Sequence, residues 1–324
     1  MKISLLLKGM AMGMAEAIPG VSGGTIAFIT GIYERLLAAI GNILGPEVIG
    51  ALRREGIAVA WRRADGGFLL QVGSGMVVGI GLAVVAITEL LENYPPVVWA
   101  FFFGLIISSA IYVARQITRW NVLNVVLLLA GAAVAYVLTT VNPLGGSTAY
   151  PLVFLAGSIA ISALILPGIS GSFILVLLGM YSVVFSAVRG LGQDFGAAFP
   201  TVAVFALGCL VGLALFSRLL TYTFKTYPNA TFALLTGFMI GSLNKLWPWR
   251  NVLTTRINSS GEAVPVLEDN VLPADYVVGE PFVPFVVGAF LLGLAVVFLL
   301  ETLDDRDGHD PDVEDMAAAV ERAD

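Results

Sequence analysis

Two Gly- and Ser-rich breaks interrupt this chain inside otherwise apolar sequence. The first runs Ile18-Pro19-Gly20-Val21-Ser22-Gly23-Gly24-Thr25 and continues to Gly31-Ile32-Tyr33. The second runs Leu166-Pro167-Gly168-Ile169-Ser170-Gly171-Ser172 and continues to Gly179-Met180-Tyr181. They align without a gap, proline to tyrosine, at a constant offset of 148 residues. Of the 324 residues, 58% are hydrophobic and 12% charged, against about 25% charged in soluble domains. The chain therefore reads as an integral membrane protein. Backbone that leaves helical hydrogen bonding within lipid is costly unless protein or a polar cavity surrounds it.

The repetition extends beyond the breaks. Tyr94-Pro95 pairs with Tyr227-Pro228 at an offset of 133, as do Gly75 with Gly208, Gly79 with Gly212, Gly104 with Gly237 and Ser109 with Ser242. The arginine-bearing loop at about 42–66 supplies the 15 extra residues of the first half. Each arm of the first broken segment, about 16 residues, reaches only roughly 24 Å as helix, short for a ~30 Å hydrocarbon core.

Residues 1–145 read as one repeat: a broken hairpin over 3–40, then spans at about 68–91, 97–114 and 122–141. Residues 146–303 read as the second: a broken hairpin over 152–188, then spans at about 197–222, 231–246 and 282–300. A polar loop at about 247–280 lies outside the membrane, and 304–324 form an acidic tail. The expected fold is an all-α integral membrane protein of two inverted repeats, each a re-entrant broken-helix hairpin plus three transmembrane helices.

Inversion follows from parity and charge. Three spans per half is odd and inverts the second half. If each broken segment crossed once, four spans per half would leave the halves parallel. Positive charge marks the cytoplasmic side. The inverted arrangement places 13 of the Lys and Arg residues inside and leaves Arg189, Lys245, Arg250 and Arg256 outside. The parallel one gives at most 11 inside and 6 outside. Both termini are then expected on the cytoplasmic side of the cell membrane.

Several function classes drop out. The single histidine, His309, lies in the acidic tail, and the single cysteine, Cys209, in an apolar run. Neither a His/Cys metal site nor an intramolecular disulfide is expected, and no cofactor is expected. The net charge of −6, with much of the acid after Glu301, gives no reason to expect nucleic acid. Met1 to Ala17 has a signal-peptide outline, with Ala15-Glu16-Ala17 as a cleavage site. Lys8 cuts its apolar core to Ile3–Leu7, however, below the roughly 7 residues a signal needs. A first membrane-embedded helix is the better reading.

Proline ends a helix and glycine allows a tight turn, so a new helix starting after Pro-Gly-x-Ser-Gly exposes unpaired N–H groups. Ser22 or Ser170 can cap that start, and the positive dipole end faces whatever fills the cavity. Two such breaks from opposed halves point to a transporter site for an anion. The candidate phosphate-binding residues are Pro19, Gly20, Val21, Ser22, Gly23, Gly24, Thr25, Pro167, Gly168, Ser170, Gly171 and Ser172. Glu16 can carry a coupling proton, hold a cation such as Na+, or act as a cap. Lys8 and Arg35 stand where they can reach a phosphate or snorkel to the surface. Tyr33 and Tyr181 match across the halves and either hydrogen-bond a break or pack. Gly75, Gly79, Gly208 and Gly212 read as close helix packing.

The run Lys8-Gly9-Met10 … Glu16-Ala17-Ile18-Pro19-Gly20-Val21-Ser22-Gly23-Gly24-Thr25-Ile26-Ala27-Phe28 … Gly31-Ile32-Tyr33-Glu34 resembles the DUF368 family of polyprenyl-phosphate transporters. The resemblance covers nearly the whole chain. It implies two re-entrant helices and a carrier that returns undecaprenyl phosphate from the outer to the cytoplasmic leaflet, recycling a cell-envelope lipid. Relatives often carry Asp at the position of Glu16. The second break has Ser172-Phe173 where the first has Gly24-Thr25, so the two half-sites are not expected to be equivalent. Rival readings are a transporter or channel for another anion or small solute, a scaffold, and a membrane serine enzyme or lipid phosphatase built on Val21-Ser22-Gly23. The enzyme reading lacks a histidine base within the membrane, leaving only Ser22 with Lys8. Coupling to H+ or Na+, and oligomeric state, are not legible.

Overall fold

The computed structural model describes residues 3–16, 22–43, 45–141, 146–257 and 263–307. Pro19, Gly20, Val21 and most of the acidic tail lie outside the described residues. The first half contains α1 (Ile3–Glu16), α2 (Gly23–Ile29), α3 (Tyr33–Ile43), α4 (Pro46–Arg54), α5 (Ile57–Arg63), α6 (Gly66–Asn93), α7 (Pro95–Arg115) and α8 (Val122–Thr140). The second contains α9 (Tyr150–Ile165), α10 (Gly171–Leu177), α11 (Tyr181–Gly190), α12 (Phe195–Thr226) and α13 (Pro228–Ser242). It ends with a 3-10 turn (Leu243–Leu246), strands β1 (Arg250–Ile257) and β2 (Ala263–Asn270), and α14 (Val283–Asp307).

Helices α7, α8, α12 and the Gly66–Ala83 part of α6 are each long and apolar enough to cross a membrane. Helix α9 and the Val283–Leu299 part of α14 are shorter apolar helices. The chain is thus a mostly helical, multi-pass membrane protein.

Three local expectations change. Each broken segment contains three helices instead of two arms. The second interruption falls at Gly31 and at its counterpart Gly179, with φ of 69° and 66°, a left-handed conformation that glycine adopts without a Cβ clash. After it the chain swings round: α10 and α11 meet at 107°. The 42–66 loop contains α4 and α5, which bury Val48, Ala51, Ala60 and Ala64 against one another. The polar loop at 247–280 contains an antiparallel β-hairpin in which Arg250 pairs with Asn270 and Val252 with Glu268. The 231–246 span is shorter as α-helix, since α13 stops at Ser242 and the chain tightens to 3-10.

Small residues let four pairs of helices touch backbone to backbone. Gly75 and Gly79 of α6 lie against the carbonyls of Leu6 and Met10 in α1. Gly208 and Gly212 of α12 lie against those of Phe154 and Ser158 in α9. Gly237 and Gly241 of α13 lie against Leu128 and Ala132 of α8. In each pair the contacts advance together along both helices, so the partners run parallel. Gly104 of α7 and Gly293 of α14 make a reciprocal close contact with Phe290 and Phe101. The packing reading of Gly75, Gly79, Gly208 and Gly212 agrees with these contacts.

The core closes around α2, all seven of whose residues are buried. Phe28, Tyr33, Phe224 and Phe232 form an aromatic cluster, with ring centroids 5.1–6.5 Å apart. Ile106 of α7 and Leu235 and Met239 of α13 complete the same core.

Candidate functional site

The two breaks lock into each other. Ser22 is fully buried and caps α2, its Oγ accepting from Gly24 N at 3.1 Å. The same hydroxyl donates toward the Leu164 and Leu166 carbonyls, both at 3.1 Å, where α9 ends. Gly168 N donates to Thr25 Oγ1 at 3.1 Å. The Tyr33 hydroxyl donates to the Ile165 carbonyl at 3.2 Å. Donors around the first break thus meet carbonyls freed where α9 ends at the second, as backbone inside a membrane requires. The approach is so close that a Cβ on Gly24 would press into the Ile165 carbonyl.

The N–H groups at the start of α2 are already paired. Gly23 N donates to Glu16 Oε1 at 2.6 Å, Gly24 N to Ser22, and Thr25 N to the Ser22 carbonyl at 3.1 Å. Glu16, the last residue of α1, therefore acts as a cap in this conformation and presents a carboxyl oxygen to the start of α2. The second break differs. Ser170 does not cap α10; its hydroxyl meets that of Ser172 at 2.9 Å. Gly168 has φ 85°, and Pro167 and Gly171 are buried beside it.

The three remaining candidates separate. Lys8 Nζ donates to the Thr30 carbonyl at 2.6 Å, placing a positive charge at the C-terminal end of α2, where the helix dipole favours it. Arg35 instead forms a two-pronged pair with Asp65, at 2.7 and 3.1 Å, and lies 4.4 Å over the Phe68 ring. Both partners of that pair are more than a third exposed. Arg35→Gln is accordingly expected to lower stability by about 1 kcal/mol or less, as read by thermal unfolding in detergent. Tyr181 stacks on Phe185 at 4.2 Å.

A cavity of about 820 Å³ opens beside the first break. Its walls are α1, α2, the end of α6, α7 and α14, and Lys8 is the charged residue among the described ones lining it. The lining residues Leu7, Tyr94, Phe285 and Leu292 are also 47–68% exposed on the molecular surface, so the cavity opens sideways between helices. A small cavity of about 20 Å³ lies beside the second break, lined by α8, α13, Ser170, Phe173 and Lys245. Sequence reasoning missed both. The walls of the first are ordinary apolar helix residues, and Lys245 reaches the second break from a turn far along the chain. Its position as the charged residue within the expected 231–246 span was the one available signal.

A family model described as VCA0040-like: Undecaprenyl phosphate translocase-like matches residues 12–264. The chain is 43% identical over 274 residues to a polyprenyl-phosphate transporter of Vibrio cholerae serotype O1, covering 85% of this chain and 87% of that one. It is 32% identical over 255 residues to a polyprenyl-phosphate transporter of Staphylococcus aureus, covering 75% and 85%. No solved structure matches.

Proposed function

Because this chain belongs to the undecaprenyl phosphate translocase-like family, whose relatives carry the name of transporters and not of enzymes, we propose that it moves polyprenyl phosphate, undecaprenyl phosphate in particular, from the outer to the cytoplasmic leaflet of the cell membrane by alternating access. The observation that carries this reading is the cavity beside the first break. It is apolar, its mouth lies between surface-exposed apolar residues such as Leu7, Phe285 and Leu292, and Lys8 is the charged residue among its described lining. A prenyl chain can lie along α7 and α14 while its phosphate reaches Lys8 and the break. A channel for a small anion has no need of an apolar side opening, so this feature favours a lipid substrate over the solute reading.

Helix directions support inversion. Helices α6, α7 and α8 alternate if each crosses the membrane, and so do α12 and α13. Helix α8 runs parallel to α13, α1 to α6, and α9 to α12. Helices α1 and α6 then point one way, α9 and α12 the other. In this arrangement α14 takes the place in the first half that α8 takes in the second. The large cavity lies along Val97–Leu105 of α7, and the small one lies at Ser242 and Lys245 where α13 ends, so the two stand at different levels of the paired helices. The breaks, with Ser22, Thr25, Gly168 and Ser170, form the hinge and headgroup path between them.

Vesicles containing the purified protein test this. Headgroup movement of polyprenyl phosphate between leaflets is expected to exceed that of protein-free vesicles, and Ala289→Trp, which fills the cavity from α14, is expected to slow it. Runs with and without pH and Na+ gradients assign the coupling ion. No movement above background under any gradient would overturn the proposal.

A further inference from the structure

The β-hairpin holds a second cluster of charge that transport through the first break does not use. One carboxylate oxygen, Glu268 Oε2, takes both Lys245 Nζ at 2.8 Å and Arg250 Nη1 at 2.7 Å. The cluster is well shielded: the Arg250, Glu268 and Lys245 side chains are 7%, 14% and 20% exposed. The Arg250 guanidinium lies 4.2 Å over the Trp99 ring, and its Nε is buried with no hydrogen-bond partner. Two cations against one carboxylate leave a net positive charge, and a buried donor without an acceptor costs about 1–3 kcal/mol. Burial works against the Glu268 charge, but Arg250 and Lys245 outweigh it and hold the carboxyl below its usual range. Glu268 is therefore ionised at neutral pH.

The cluster adjoins the second break. Lys245 lines the small cavity together with Ser170 and Phe173, and its ammonium lies 5.5 Å from the Phe173 ring. From this geometry we infer that Lys245 and Arg250 form a binding site for a phosphomonoester headgroup, occupied in this conformation by Glu268 as a built-in competitor. A phosphate brings up to three acceptor oxygens and close to two negative charges. It can replace Glu268 on Lys245 and Arg250 Nη1 and also satisfy Arg250 Nε, with planar recognition suited to guanidinium. The hydroxyls of Ser170 and Ser172 then lie on the path inward. Release of Glu268 then frees Lys245, which lines the small cavity. This deepens the transport reading and rests on it for the identity of the lipid: the site meets the headgroup on the face of the protein where α13 ends.

Tryptophan emission tests the site in nanodiscs, since Trp99 touches Arg250 and Trp247 lies 6.0 Å from Trp249. Polyprenyl phosphate, inorganic phosphate and the matching polyprenol are titrated in turn. The phosphorylated lipid is expected to change the emission, and the alcohol is not. Glu268→Gln, which removes the competing charge, is expected to tighten apparent binding by about tenfold, and Lys245→Met or Arg250→Gln to weaken it by about tenfold or more, each a plausible size for one charged partner. Thermal melting identifies a variant that fails to fold. Lys245→Met, which keeps the Arg250–Glu268 pair, then serves as the decisive variant. Unchanged affinity in Lys245→Met and Glu268→Gln would overturn the site. Equal affinity for inorganic phosphate would assign it to a free anion and overturn the lipid source. If wild-type vesicles translocate lipid while these titrations show no difference between variants, only the site fails. Absence of transport in wild-type vesicles is failure of the transport reading itself.

Discussion

Gly24→Ala is expected to uncouple the two breaks and remove most transport. The added Cβ would press against the Ile165 carbonyl oxygen and lie 3.0 Å from its carbon. Both belong to backbone that also accepts from Tyr33, at the end of α9. No flexible side chain can give way, so the breaks must separate. Ser22 would then lose its two carbonyls and Thr25 its donor from Gly168. Overpacking of this kind costs about 1–3 kcal/mol, which lowers the population of the interlocked state by roughly 5- to 150-fold. Gly73→Ala supplies the control: it lies within α6, and nothing stands within 4 Å of its added Cβ. The measurement is initial transport rate together with thermal unfolding for both variants. Equal rates for the two would show that the interlock is incidental.

Some of this arrangement is legible in sequence, because lipid makes a break in a helix expensive unless something closes it. A proline, two or three glycines and a capping serine at one register, twice, announce two places where backbone must find partners. The sequence does not say that the partners are each other. Ser22 and Leu166 are 144 residues apart, and no local pattern encodes that distance. The shared register offered Ser22 and Ser170 alike as caps, while Ser172-Phe173 argued against equivalent half-sites. Ser22 caps its helix while Ser170 turns to Ser172, because a serine stands at 172 where the first break has Gly24. Gly31 and Gly179 were visible as part of the motif, yet only their positive φ values reveal that each C-terminal arm breaks a second time. The hairpin strands escaped notice for another reason. They lie in a polar stretch where hydropathy, the strongest signal in this chain, is silent.

Charge was the least reliable guide. Arg35 stands two residues after Tyr33 and read as reaching either a phosphate or the surface; α3 turns it toward Asp65 at the start of α6, on the exposed side. The second break has no charge of its own between Tyr150 and Val188. Folding brings Lys245 to it from beyond α13. A long cationic side chain reports where its tip can reach, and that depends on helix directions fixed by glycine contacts elsewhere.

Glu16 is the residue whose two readings make the most different predictions. As a proton carrier it needs an ionisable carboxyl, so Glu16→Gln should abolish any dependence of transport on a pH gradient. As a cap it needs only an acceptor oxygen 2.6 Å from Gly23 N, and the glutamine amide supplies one. The geometry favours the cap: the carboxylate sits on the first N–H of a helix whose other early donors are taken by Ser22. Glu16→Gln is then expected to keep transport within roughly fivefold of wild type, the difference between a charged and a neutral acceptor being about 1 kcal/mol. Glu16→Ala is expected to lose far more, since a buried N–H without a partner costs about 1–3 kcal/mol and α2 anchors the core. Glu16→Asp keeps the charge but shortens the reach by one methylene, so it should fall between them unless α1 shifts toward Gly23. Rates for the three variants, measured with and without a pH gradient, decide the matter. A cap gives the order Gln, Asp, Ala with gradient dependence unchanged in the glutamine variant, whereas a proton carrier gives an aspartate variant that responds to the gradient and a glutamine variant that does not.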